Sequence, residues 1–152
     1  MHPVASADNQ EAGRINHCHT VRQERAIRMA KRILIVDDEQ DVLTYLGTLF
    51  RDNGYEIATA VDGREALEKI EEFRPDLITL DIIMPNQSGV GFYRKLKKNK
   101  ELQNVPVVVL TGVTQYKEFF AREHHTIPKP DAFVEKPFDK SALLDLVQRL
   151  VD

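Results

Sequence analysis

The stretch Pro75-Asp76-Leu77-Ile78-Thr79-Leu80-Asp81-Ile82-Ile83-Met84-Pro85 decides the fold. Leu77 to Leu80 is too apolar and too short to be anything but a buried strand. A carboxylate that ends such a strand, with a proline-containing loop behind it, must emerge at the edge of a sheet, because an unpaired charge cannot stay in the core. Taken alone, Asp81 reads as a cap for a loop or for the next helix. Its meaning comes from the other strand ends.

Working outward, the chain alternates strand and helix from Arg32 onward. Ile33-Leu34-Ile35-Val36 is a buried strand ending in Asp37-Asp38-Glu39. A first helix carries Val42, Leu43, Leu46, Leu49 and Phe50 on one face, and Asn53-Gly54 stops it. Tyr55 to Ala60 is the second strand. Ala66, Leu67, Ile70 and Phe73 line the second helix, which ends before Pro75. The Asp81 strand is third. A third helix starts near Ser88 or Gly89, packs through Phe92, Tyr93 and Leu96, and ends in the basic run Lys95 to Lys100, which complements the helix dipole. Val105 to Leu110 is a fourth strand, ending at Thr111-Gly112. Tyr116, Phe119 and Phe120 mark a short fourth helix. Ala132 to Glu135 is a fifth strand ending at Lys136-Pro137, and Leu143, Leu144, Val147, Leu150 and Val151 line a fifth helix. Five strands alternating with five helices predict an α/β, doubly wound parallel sheet covered on both faces.

Composition narrows the function classes. The chain has 152 residues, a net charge of -3 and one cysteine, Cys18. Neither a nucleic acid nor a membrane is expected as partner, and no apolar run reaches the roughly 20 residues of a membrane span. A lone cysteine excludes an internal disulfide framework and fits a reducing, cytoplasmic compartment. Residues 1–30 read as a flexible or loosely helical arm. His17 and His19 flank Cys18 without zinc-ligand spacing, and with His2 they read as solvated. Met29-Ala30-Lys31-Arg32 leads directly into the first strand, so Met29 is a candidate true start.

In an open parallel sheet, function gathers beyond the carboxyl ends of the strands. Those ends supply Asp37 and Asp38, Asp81, Thr111 and Lys136. Two like charges about 4 Å apart repel by about 4 kcal/mol at an effective dielectric near 20, so three clustered acids call for a counter-charge. Oxygen donors around an octahedral site favour Mg²⁺. A carboxylate can also attack a phosphoryl group to form an acyl phosphate. Asp81, on the central strand, is the best-placed nucleophile, while Asp37 and Asp38 are better placed for metal. Lys136 and Thr111 would contact the phosphoryl oxygens. Read singly, Lys136 is a surface lysine paired to Asp38, and Thr111 a cap for the fourth helix.

The set Asp37-Asp38, Asp81 with Met84-Pro85 and Gly89, Thr111-Gly112 and Lys136-Pro137-Phe138 resembles the receiver domain of two-component response regulators, over about Lys31 to Asp152. The resemblance implies a flavodoxin-like strand order 2-1-3-4-5. It implies Asp81 as acceptor of phosphate from a sensor histidine kinase or phosphotransfer protein. It implies Mg²⁺ held directly by Asp38, Asp81 and the Ile83 carbonyl, with Asp37 acting through water. It further implies a cis Lys136-Pro137 bond, and Thr111 and Phe133 as switch residues. Such a domain assists its own phosphorylation and is not a turnover enzyme.

The pattern departs from the family in two places. Between Thr111 and Phe133 the chain is a few residues long, with Arg122-Glu123-His124-His125 and Pro128-Lys129-Pro130 where a Gly-Ala-Asp turn is typical. His124 and His125 read as a solvated pair at a helix end. The positions two beyond Asp81 and two beyond Thr111, which flank the water's path in dephosphorylation, are the apolar Ile83 and Val113, so a slowly decaying acyl phosphate is expected. With the fifth helix closing the chain at Asp152, output is expected through a separate protein target, a change of oligomer or phosphate relay. The face of the fourth helix, fifth strand and fifth helix would carry it.

Three other classes fit less well. A degenerate pseudo-receiver, binding partners without phosphorylation, would have lost an acid or Lys136. A haloacid-dehalogenase-like phosphatase would have a second acid two residues after Asp81. A flavodoxin-like flavin binder would need a hydroxyl- and glycine-rich loop where Asp37-Asp38 stand.

Overall fold

The computed structural model describes residues 30–112 and 128–152, and the unit from Lys31 to Asp152 is taken by itself. Its elements are β1 (Arg32–Val36), α1 (Gln40–Asp52), β2 (Glu56–Ala60), α2 (Gly63–Phe73), β3 (Leu77–Leu80), a 3-10 turn (Pro85–Gln87), α3 (Ser88–Lys98), β4 (Val107–Thr111), β5 (Ala132–Glu135) and α4 (Lys140–Val151). All strand pairs are parallel, in the order β2-β1-β3-β4-β5. The expected doubly wound α/β sheet is therefore present, with four helices among the described residues. The helix expected around Tyr116, Phe119 and Phe120 falls outside them, as do His2, His17, Cys18, His19, Val113, His124 and His125. Label α4 thus denotes the C-terminal helix, the fifth in the sequence reading.

Both faces of each central strand are apolar because both are covered. Leu34, Val36, Ile78, Leu80, Val107 and Val109 point to one side, where Ala66 and Ile70 of α2 and Phe92, Tyr93 and Leu96 of α3 close over them. Ile33, Ile35, Leu77, Val108 and Leu110 point to the other side, against Leu43, Leu46 and Phe50 of α1 and Leu143, Val147 and Val151 of α4. Alternate residues of one strand thus feed two separate cores. The strands therefore read as unbroken hydrophobic runs.

Local chemistry sets the ends of the elements. Asp62 and Asp139 cap α2 and α4, their carboxylates accepting from the Glu65 and Ala142 N–H groups at 2.8 and 3.1 Å. Arg74 ends α2 in the left-handed conformation, φ 53°. At the amino ends of the strands, Asp76 accepts from Arg32 N–H (2.9 Å) and Asp131 from Val107 N–H (2.8 Å), so each carboxylate serves the first amide of a central strand. The Asp131 tie explains a shifted boundary: β4 begins at Val107 and not at Val105. Pro106 has no N–H to give the ladder, and Val105 N–H instead closes a turn onto the Leu102 carbonyl. Likewise Tyr55 N–H returns to the Phe50 carbonyl, which leaves β2 to start at Glu56.

Helix α3 is pressed against the loop after β3. A Cβ added at Gly89 would lie 2.8 Å from the Asp81 carbonyl oxygen and 2.9 Å from that of Ile82, whereas one at Gly91 meets nothing within 4 Å. Gly89→Ala is accordingly expected to lose about 1–3 kcal/mol of stability through overpacking. Gly91→Ala should gain up to about 1 kcal/mol from helix propensity. Urea unfolding of the two variants measures both, and equal midpoints would contradict this packing.

Candidate functional site

Three charged side chains are positioned by the last rung of the sheet. Asp37, Asp81 and Lys136 each stand one residue beyond a strand. Their own N–H groups extend the ladder, donating to Ala60 O (3.1 Å), Val36 O (2.9 Å) and Thr111 O (3.0 Å). The parallel order places these ends side by side on one rim. Each residue is thereby held by a backbone bond to the neighbouring strand before its side chain does anything.

The two aspartates are built alike. Asp37 Oδ1 accepts from the Glu39 N–H and Asp81 Oδ1 from the Ile83 N–H, both at 2.9 Å, so each turns back on the amide two residues ahead. That leaves each Oδ2 facing Lys136, whose Nζ lies 2.9 Å from Asp37 and 3.4 Å from Asp81. Asp37 and Asp81 are buried, 1% and 5% exposed. One ammonium therefore serves two buried carboxylates. Lys136 pairs with these two and not with Asp38, which excludes the simpler surface-pair reading.

Burial pushes the Asp81 carboxyl up to about 6. The Ile83 N–H and the Lys136 charge pull it down, and Asp37 adds to the rise. For Lys136, burial works against the charge, but the Asp37 hydrogen bond and both aspartate charges outweigh it and hold the ammonium above its ordinary value. The site is short of positive charge.

The remaining predicted residues surround this core. Asp38 is exposed beside Asp37, and with Glu39 the carboxylate oxygens of these three lie within 4.8 Å of one another. Ile83 is 39% exposed, and its backbone is brought to the carboxylate by the N–H bond to Asp81. Thr111 is buried at the end of β4, in register with Glu135. Phe133 lies opposite Val109 in β5, half-buried against the α2–α3 core, the side of the sheet away from α1 and α4. Lys136-Pro137 is cis. Glu39 was legible only as the third acid of a run, since the sequence does not show that it stands directly before α1 with Asp37 turned back onto its amide. The helix opens at Gln40, so its positive end adjoins the acids.

The donor set suits a hard divalent cation. It is all oxygen, two of its carboxylates are buried, and one lysine faces both of them. Asp37, Asp38 and Asp81 could supply carboxylate oxygens to such a cation.

Comparison with known proteins agrees with this geometry. The family model of the response regulator receiver domain matches residues 33–148. Protein Rrf1 of Nitratidesulfovibrio vulgaris is 37% identical over 121 residues, which are 80% of this chain and 83% of Rrf1. The chemotaxis protein CheY4 of Vibrio cholerae aligns with a TM-score of 0.71 at 30% identity, covering 80% of this chain and 98% of that one. The response regulator protein TrrA of Thermotoga maritima, solved in complex with Mg²⁺-BeF, gives 0.68 at 34% identity, over 79% and 98%. Several other relatives are longer, and the chain spans 50% of their length or less.

The raised Asp81 carboxyl makes a stability prediction with a definite sign. Folded, it holds its proton up to about 6, against 3.8 for the free group. The native state thus binds more protons in that window, and stability falls as pH rises through it. Asp81→Asn removes the ionisation. In metal-free buffer it should be more stable than wild type at pH 8 by up to about 3 kcal/mol, with the gap closing as pH falls below about 4. Urea unfolding at several pH values reads this, and a gap independent of pH would contradict it.

Proposed function

The chain belongs to the response regulator receiver family, and on that premise we propose that Asp81 accepts a phosphoryl group from the phosphohistidine of a sensor histidine kinase or phosphotransfer protein. The supporting observation is the shared lysine, one ammonium between the buried Asp37 and Asp81. An Asp81 carboxylate oxygen attacks phosphorus, the P–N bond of the donor breaks, and the leaving imidazole keeps the electron pair and takes a proton. With a carboxyl near 6, most Asp81 is ionised at neutral pH and able to attack.

Lys136 is placed to follow the charge. Its ammonium already contacts Asp81, and phosphorylation puts new negative oxygens within its reach. Thr111, at the end of the adjacent strand, would supply a hydroxyl to the same group, and its carbonyl already fixes the Lys136 backbone. Mg²⁺ held by Asp37, Asp38, Asp81 and the Ile83 carbonyl would supply the missing positive charge for the phosphoryl oxygens. The ordered elements leave Asp81 and Lys136 little freedom, so orientation is largely established before the donor arrives.

Output would follow from Thr111 and Phe133, which stand on neighbouring strands toward the same side of the sheet. A Thr111 drawn to the phosphoryl group would free space for Phe133, altering the face made by the fourth helix expected from the sequence, β5 and α4. That face would meet a downstream protein, with no nucleic acid or membrane contact. No helix among the described residues is long and apolar enough to cross a membrane, and the proposed compartment is the cytoplasm. Each phosphorylation is a signal and not a turnover.

Incubation with Mg²⁺ and acetyl phosphate, read by intact mass, tests the acceptor. Wild type should gain one phosphoryl group, Asp81→Asn none, and EDTA should suppress the gain. A wild type that stays unmodified with acetyl phosphate and with several kinases would instead support a phosphorylation-independent binding module. Ile83 is exposed and apolar beside Asp81 and cannot orient a hydrolytic water. The phosphorylated protein should therefore persist for minutes or longer, and Ile83→Asn should shorten its lifetime several-fold. Decay of wild type within seconds would contradict this.

A further inference from the structure

Between α2 and α3 runs an open groove of about 430 Å³. Its floor is formed by the half-buried Leu67 above the buried Phe92, and Gly91 leaves it open on the α3 side. A Cβ at Gly91 would meet nothing within 4 Å, so an incoming group can approach the α3 backbone there. Arg64 and Lys95 stand on the two sides of the groove. Glu68 also lines it, paired with Arg64 at 3.4 Å.

The charge on α3 runs against the rest of the chain, α2 included, which carries Glu68, Glu71 and Glu72. The molecule is net negative, yet no acidic residue occurs between Ile82 and Lys100, while Arg94, Lys95, Lys97, Lys98 and Lys100 do. Lys97 is accounted for within the fold. Its ammonium donates to the Gln103 and Val105 carbonyls at 3.1 and 3.4 Å and lies 5.5 Å from the centre of the Tyr93 ring. Arg94, Lys95 and Lys98 are exposed and make no ion pair with another described residue. A helix dipole is answered by one or two cations in its last turn, so Arg94 and Lys95 are surplus to that need.

We propose that the α2–α3 groove, with Arg94 and Lys95 beside it, is a docking site for an acidic segment of a partner protein that lays an apolar side chain over Leu67 and the open Gly91. The charge of the α3 side selects acidic partners and steers their approach. The apolar floor gives the anchor, and it favours a peptide over a nucleic acid, which would need phosphate contacts along its length. The site is distinct from the acidic rim. Its wall is nonetheless the helix whose Gly89 presses on the Asp81 and Ile82 carbonyls.

The test uses a short synthetic peptide of aspartate and glutamate residues with one central phenylalanine, titrated into the labelled full chain and followed by amide NMR shifts. Shifts should gather at Leu67, Gly91, Phe92 and Lys95. Binding should weaken about tenfold when the peptide's phenylalanine is replaced by alanine. Lys95→Glu should weaken it too, and Lys140→Glu, on α4, should leave it unchanged. Gly91→Leu, which the open space tolerates, should block the phenylalanine-dependent part while a wild-type-like unfolding curve shows the fold intact. Equal binding of the two peptides, shifts scattered over the surface, or tighter binding of a single-stranded RNA oligonucleotide would each overturn the proposal.

Discussion

The structure turns on one ammonium held between two buried carboxylates. Asp37 sits at the end of β1, Asp81 at the end of the adjacent β3 and Lys136 at the end of β5, with β4 between β3 and β5. Only a parallel sheet in this order brings the three to one rim. Without the lysine, two buried negative charges would face each other; without either acid, the lysine would lose a partner that offsets its own burial. The sheet supports this arrangement with backbone bonds, each charged residue's N–H bonding to the carbonyl that ends a neighbouring strand.

The arrangement is costly, and it stays so in the folded protein. Asp81 is ionised near neutral pH against the preference of its surroundings, which is the meaning of a carboxyl pushed up to about 6. The cost is borne by two large apolar cores, one on each face of the sheet, and by the Asp76 and Asp131 ties at the opposite ends of the strands. Stability is thus built at the amino ends and through the middle, and spent at the carboxyl ends. The separation lets the site be under-neutralised without threatening the fold.

Much of this was legible in the sequence because burial on both faces writes itself as continuous apolar runs. Leu77 to Leu80 and Ile33 to Val36 could be nothing else, and the acids that end them had to lie at the rim. The strand order came from resemblance to a family, since apolar runs do not say which strand lies beside which. The sequence does not mark the start of β4, since Val105 is as apolar as Val107 and only the missing N–H of Pro106 and the Asp131 tie distinguish them. The division of labour among the acids was also hidden. Asp37 and Asp38 are adjacent and identical in chemistry, yet one is buried on Lys136 and the other exposed, a difference set by the start of α1. The groove beside α3 was invisible for a related reason, since periodicity marks which face of a helix is apolar but not where two helices part.

The central claim is that, of the acids on this rim, Asp81 alone forms the acyl phosphate. Borohydride reduction of the phosphorylated protein converts the modified aspartate to homoserine, and peptide mass mapping then locates it. Homoserine at position 81, and at no other position, is the expected result. Homoserine at position 37 or 38, or a phosphorylated protein that yields none, would contradict it.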